Sequence, residues 1–341
     1  MSQQIPIAVT QSTASSTTVD MEFAVARPPL DPSIGGEQPE MFVTETIDIG
    51  QLRKATMSAH SVDTVLGIFP DYSHTEHIAQ SIGDGDNNVL LSVFRPKNPT
   101  SAKLPCLYSL HGGGQITGNR FAALDVLMGY FGGRDLVAVS PEYRLAPENK
   151  APDGAKDCYK GLVWMVEHAG ELGIDPSRIF VCGISGGGPL AAATAILARD
   201  KQHPKIYAQM LLTPMLDDRC NTVSAKQFHK GVPWCGAANI EAWDMVLGNR
   251  RGKPDVSHLE APARATDLSG LPATFIDVGE CEVFRDEAVA YASKMWECGS
   301  TAELHVWPGA YHGFDIFAPD TSLAKVAIET KKAWIKRILS T

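Results

Sequence analysis

The segment Gly183-Ile184-Ser185-Gly186-Gly187 follows the apolar run Ile179-Phe180-Val181-Cys182 and leads into an alanine-rich stretch ending near Ala198. A sharp turn from strand to helix holds its serine in a strained conformation and aims the hydroxyl away from the sheet, and small flanking residues let the two elements approach closely. The amide end of the following helix favours negative charge beside it. Such a serine is suited to nucleophilic attack on an acyl carbon. Upstream, His111-Gly112-Gly113-Gly114 comes directly after the apolar run Leu104 to Leu110. Gly113 and Gly114 there, with Gly186 after the serine, are the expected NH donors to an oxyanion. Losing one donor from such a hole costs about 2.7 to 4 kcal/mol. A phosphate-binding loop is the competing reading, but no Lys-Ser or Lys-Thr pair follows the glycines.

Nucleophilic serine chemistry needs a base and a carboxylate to orient it. Of the ten histidines, His312 stands where a base is required, in Pro308-Gly309-Ala310-Tyr311-His312-Gly313-Phe314, just past the run Glu303 to Trp307. Its place near the end of the chain keeps the order serine, acid, histidine. The acid is expected in the loop after the run Ala273 to Val278, where Glu280, Glu282, Asp286 and Glu287 compete. Asp286 and Glu287 fall in the following helix, where capping or ion pairing accounts for them. Residue chemistry alone does not choose between Glu280 and Glu282.

These residues must be positioned by elements, and the apolar periodicity supplies them. Short runs at Val89 to Phe94, Leu104 to Leu110, Leu136 to Val139, Ile179 to Cys182, Tyr207 to Leu212, Ala273 to Val278 and Glu303 to Trp307 read as strands. Helical spacing covers Asp153 to His168, the stretch from Ser185 to Ala198, and Phe284 to Glu297. Strand and helix alternate, which predicts an α/β fold with a mainly parallel sheet, helices on both faces and a site at the carboxyl ends of the strands. The stretch 215–265 contains no clear strand and reads as an insertion. Together with residues 1–60, whose first twenty or so are expected to be mobile, it is expected to form a cap over a core of 61–214 and 266–341. Phe228, Trp234 and Trp243 in that insertion are candidates for lining a substrate pocket.

With 341 residues, 44% of them hydrophobic, the chain is long enough for a large core. A formal net charge of -9 argues against nucleic acid or anionic membrane as partner, and a small neutral or cationic molecule fits better. The seven cysteines are scattered without a Cys-x-x-Cys pair, and Cys182 and Cys281, which flank catalytic candidates, read as small packing residues. No secretory leader and no apolar run of membrane-spanning length is apparent, so a soluble cytoplasmic protein is expected. His74 and His77 have a spacing that suits one helix face, but no further ligands stand near them and no metal site is expected.

Taken in order, the motifs resemble the hormone-sensitive-lipase-like family of α/β-hydrolases, a group of carboxylesterases and lipases. His111 to Gly114 matches the family's His-Gly-Gly-Gly, Glu142-Tyr143-Arg144-Leu145-Ala146-Pro147-Glu148 is similar to its Asp-Tyr-Arg-Leu-Ala-Pro-Glu, and His312-Gly313-Phe314 matches the stretch around the base. The likeness runs from about Ser92 to the C-terminus. It implies the α/β-hydrolase fold with a helical cap, and esters with acyl groups of modest length as substrates. Alignment with the family's Asp-Pro-Leu-x-Asp-Glu selects Glu282 as the acid, a glutamate in place of aspartate. Ile184 is a second departure, at a position where the family more often has an acidic residue. Glu142 and Arg144 are expected to brace the sheet edge through internal ion pairs.

The reading is therefore a serine carboxylesterase with the triad Ser185, Glu282 and His312, a chemistry that requires no metal or organic cofactor. The same machinery would also open a lactone or cleave an amide or carbamate. A non-catalytic small-molecule receptor on this scaffold is the alternative from another class, although it would be expected to have lost Ser185 or His312. An exposed edge strand at Glu303 to Trp307 is a candidate surface for a homodimer.

Overall fold

The computed structural model describes residues 27–34, 46–80, 87–231 and 233–340. The expected mobile N-terminal stretch lies outside them. Eight strands form one sheet: β1 (Tyr72–Ala79), β2 (Val89–Pro96), β3 (Leu104–Leu110), β4 (Val137–Pro141), β5 (Ile174–Ile184), β6 (Ala208–Leu212), β7 (Ala273–Gly279) and β8 (Ala302–Trp307), in the order β1-β2-β4-β3-β5-β6-β7-β8. β1 and β2 pair antiparallel, as do β2 and β4, and the remaining neighbours are parallel. The architecture is that of the α/β-hydrolase fold.

Each of the seven strands expected from apolar runs is present, and β1 is the one missed. It is an edge strand whose polar sequence Tyr-Ser-His-Thr-Glu-His gives little apolar signal. The helix-face reading of His74 and His77 is corrected with it. His74 bonds Ser92 across to β2, whereas His77 packs on Trp164, and no group of metal-ligand type gathers around them among the described residues.

The helices are α1 (Ile49–Ser58), α2 (Val62–Ile68), α3 (Leu124–Gly129), α4 (Asp153–Glu167), α5 (Ala169–Leu172), α6 (Gly187–Asp200), α7 (Val223–Gln227), α8 (Gly236–Leu247), α9 (Arg285–Glu297), α10 (Phe314–Phe317) and α11 (Ser322–Ile338). Strand alternation divides the apolar residues between two cores. Ile179 and Val181 of β5 face α4, α6 and α9, while Phe180, Cys182 and Ile184 face α2, α3 and α11. The parallel strands are therefore apolar on both faces, as in the fully buried β3. α6 is lined with alanine and packs against α4, β5 and β6. Between β6 and β7 the described chain holds α7, α8 and short turns but no strand. No described helix is long and apolar enough to cross a membrane.

Two buried ionisable groups fix how the ends of these elements meet. Lys331 of α11 is 1% exposed, and its Nζ stands 2.5 Å from Asp277 Oδ2 on β7 and 2.9 Å from Asp315 Oδ2 in α10. Tyr130 donates to the same Asp315 oxygen and Trp307 to Asp277. Burial opposes the ammonium charge, but the two carboxylates outweigh it and raise the Lys331 pKa. Glu287 of α9 accepts the Leu216 NH at 2.6 Å where the chain leaves β6. Burial pushes its carboxyl well above the ordinary 4.5.

Replacing Lys331 by Met leaves two buried carboxylates unbalanced and is expected to cost about 3 to 5 kcal/mol in urea unfolding. The triple variant Lys331→Met, Asp277→Asn, Asp315→Asn is expected to recover much of that loss. Glu287 has a folded pKa above its unfolded one, so its contribution to stability is full below pH 4.5 and falls as pH rises through the folded value. Glu287→Gln keeps an oxygen acceptor for Leu216 but no longer titrates. Its stability is expected to decline less than that of the parent between pH 5 and 8, as read from urea midpoints.

Candidate active site

Ser185 follows β5 at φ +52°, in the left-handed region that a non-glycine residue rarely occupies. Its NH donates to Leu212 O at the end of β6, and its carbonyl accepts from Gly188 and Met215. The turn works because β5 and α6 nearly touch. A methyl on Gly183 would run into the Gly187 carbonyl, and one on Gly187 into the backbone oxygens of Leu110 and His111. Ser185 itself is 7% exposed, its hydroxyl at the floor of a cavity.

His312 arrives from the loop after β8. Its Nε2 is 3.0 Å from Ser185 Oγ and its Nδ1 is 2.5 Å from Glu282 Oε2. Glu282 is fully buried, and its other oxygen accepts the Gly279 NH at 2.7 Å, which restrains the carboxylate where it meets the imidazole. The neighbouring candidate turns away, since Glu280 Oε2 instead accepts the Gly309 NH at 2.9 Å, tying the β7 loop to the β8 loop. Asp286 caps Ser224 and pairs with Arg285, while Glu287 holds Leu216. Phe284 meets the His312 ring edge-on at 5.2 Å. Of the four carboxylates that compete in the sequence, only Glu282 touches the histidine.

The glycine loop after β3 lies against the serine. An ideal Cβ on Gly112 would stand 3.5 Å from Ser185 Cβ, and Gly186 sits directly on the Gly114–Gln115 backbone. Gly112 and Gly113 line the cavity, while Gly114 is covered by the Trp234 ring. His111 holds the loop in place. Its Nδ1–H donates to Gly112 O at 2.7 Å, its ring stacks on Tyr143 at 4.2 Å, and the Tyr143 hydroxyl donates to His111 O at 2.8 Å. Burial lowers its pKa, consistent with a neutral imidazole.

The segment around Tyr143 is braced in turn. Glu142 accepts from Arg120 at 2.8 Å, and Arg144 makes a two-pronged contact with the fully buried Asp157 through Nε and NH2 at 2.8 and 2.9 Å. The ion pairs expected for Glu142 and Arg144 are thus present. Cys182 and Cys281 are buried thiols whose pKa burial raises, that of Cys281 to about 11, which fits packing residues.

Above the serine the cavity has a volume of about 460 Å³. Its walls come from α1 and α2, from α3, from the His312 loop and from Pro233 and Trp234 of the insertion. Arg53 of α1 anchors that wall to the glycine loop by donating to Ile116 O and Ala146 O, both at 2.8 Å. Of the three aromatic candidates, only Trp234 lines the cavity. Phe228 and Trp243 are 2% and 0% exposed and sit in the apolar core around α8, because both rings point into its packed side. Sequence reading missed Thr213, His60 and Asp125, which also line the cavity. Thr213 and His60 lie just outside regular elements and Asp125 in the first turn of the short helix α3, where spacing carries no signal of a site.

The chain is similar to known α/β-hydrolases and esterases. Residues 107–316 match a family described by its α/β-hydrolase fold. Carboxylesterase NlhH of Mycobacterium tuberculosis is 32% identical over 322 residues, which cover 93% of this chain and 99% of that protein. An arylesterase of Saccharolobus solfataricus is 32% identical over 238 residues, 70% of this chain and 76% of the arylesterase. Among solved structures, a bacterial heroin esterase superposes with a TM-score of 0.80 at 34% identity, covering 91% of this chain and 98% of its own.

Proposed function

The chain belongs to the hormone-sensitive-lipase-like family of α/β-hydrolases, and on that premise we propose that it is a serine carboxylesterase acting through Ser185, His312 and Glu282. The observation that carries this reading is the unbroken hydrogen-bond relay from Ser185 Oγ through both ring nitrogens of His312 to the buried Glu282. In it, Nε2 takes the hydroxyl proton as Oγ attacks the ester carbonyl. The Glu282 carboxylate keeps the proton on Nδ1 and stabilises the imidazolium that forms. The NH groups of Gly113, Gly114 and Gly186 receive the oxyanion. As the tetrahedral intermediate collapses, the imidazolium hands its proton to the departing alcohol and leaves an acyl-serine. Water, deprotonated by the same nitrogen, then releases the acid and restores the serine.

A cavity of about 460 Å³ matches esters of small to medium acyl groups. In this reading residues 1–60 and 215–265 are the cap and residues 61–214 and 266–341 the catalytic core. The contribution of α1 and Trp234 to the cavity wall supports that division, while α2 and α3 bring core segments to the same wall. Closing the site from water strengthens the charge interactions on which the oxyanion donors depend.

A fluorophosphonate probe is expected to label the protein at Ser185 and to leave Ser185→Ala unlabelled. Equal labelling of the two would end this reading and favour a receptor. In kinetics on an aryl acetate, Glu282→Gln is expected to lower kcat about 10⁴-fold, the scale of losing the orienting carboxylate. Glu280→Gln is expected to stay within about tenfold of the parent, because its carboxylate ties two loops together. A reversed pattern would transfer the role to Glu280.

A further inference from the structure

Away from the reacting groups, the cavity wall has an uneven polarity. Its apolar part comes from Leu52, Val126, Ile184 and Ile316, with the aromatic rings of Trp234 and Phe317 beside them. Set into this surface is one carboxylate, Asp125, half-buried in the first turn of α3. No Lys or Arg lines the cavity among the described residues, and Asp125 makes no ion pair or side-chain hydrogen bond among them. The nearest titratable companion on the wall is His60, which Asp125 influences through space. Burial lowers the His60 pKa more than Asp125 raises it, so the ring stays neutral near pH 7 and does not offset the carboxylate.

An unpaired carboxylate is costly in an apolar pocket unless something compensates it, and aromatic faces attract the same kind of partner that a carboxylate does. Anything entering the cavity therefore meets a carboxylate set among apolar and aromatic side chains, with no Lys or Arg opposing it among the described residues. A first-turn aspartate also complements the amide end of a helix, but that contribution does not require the side chain to stand on the wall of the site. We infer that the cavity selects esters bearing a cationic ammonium group, with Asp125 as the specificity-determining residue, and disfavours esters bearing a carboxylate. The inference rests on Ser185 being the nucleophile of the same cavity.

The test uses the full chain and ester pairs matched in shape. Acetylcholine is compared with its neutral carbon isostere 3,3-dimethylbutyl acetate, and the ethyl ester of 4-(trimethylammonio)butyrate with ethyl 5,5-dimethylhexanoate, so that the charge is carried once by the alcohol and once by the acyl group. At low salt the ratio of kcat/KM, cationic over neutral, is expected to be about 10 or more for at least one pair. Molar salt is expected to bring it towards 1. In Asp125→Asn the ratio is expected to collapse to about 1, and Asp125→Glu is expected to restore part of it. A ratio near 1 for both pairs in the parent protein, or one that Asp125→Asn leaves unchanged while only the unfolding temperature moves, overturns the inference and leaves Asp125 as a helix-end residue. If Asp125→Asn does not fold, the parent ratio and its salt dependence decide the matter. Failure of the esterase reading is separable, since no ester of either charge would then be turned over and Ser185 would take no fluorophosphonate.

Discussion

A serine at φ +52° between a strand and a helix that nearly touch is a conformation that the local chain does not choose for itself. Strain of this kind costs on the order of 1 to 3 kcal/mol and persists only where the surroundings over-determine it. Here they do so from several directions. β5 is buried among β3 and β6, α6 presses its small residues onto the sheet, and the amide and carbonyl of Ser185 are both bound to neighbouring loops. The sheet thus supplies the stability that the turn spends, and every other functional group is located relative to that turn.

The loops at the neighbouring strand ends are each tied by a directed polar contact as well as by packing. The glycine loop is clamped by His111 and Tyr143, the acid loop by Glu280 on Gly309, and the stretch after His312 by Asp315 on Lys331. Buried polar groups of this kind are expensive when mispaired and so favour a single arrangement. That is how a histidine and a carboxylate from separate loops meet a serine to within hydrogen-bond distance.

The cavity shows the same division of labour at larger scale. Ser185, Glu282 and His312 stand in loops at the carboxyl ends of β5, β7 and β8, whereas much of the cavity wall comes from α1, α2, α3 and Trp234. Arg53 ties α1 to the glycine loop, Ile47 NH before α1 bonds Glu241 of α8, and α2 and α3 pack into the apolar core under the sheet.

Much of this was legible in the residues alone. Apolar runs marked seven of the eight strands because parallel strands are apolar on both faces, and the ordered glycine, serine and histidine motifs fell at strand ends because that is where loops leave a parallel sheet. β1 escaped because an edge strand with one wet face has little apolar pattern to read. The choice between Glu280 and Glu282 could not be made from spacing, since two residues in one loop differ only in which way the backbone turns them. Likewise Phe228, Trp234 and Trp243 are equivalent as letters, and only packing decides which ring faces the cavity and which two fill the core. The sequence by itself determined the fold class and picked out Ser185 and His312 as candidates, because these depend on local periodicity and turn chemistry. The family motif pointed to Glu282, and tertiary structure alone showed its contact with His312 and the make-up of the cavity wall, Asp125 included, because those depend on which distant segments the folded sheet brings within a few ångströms of one another.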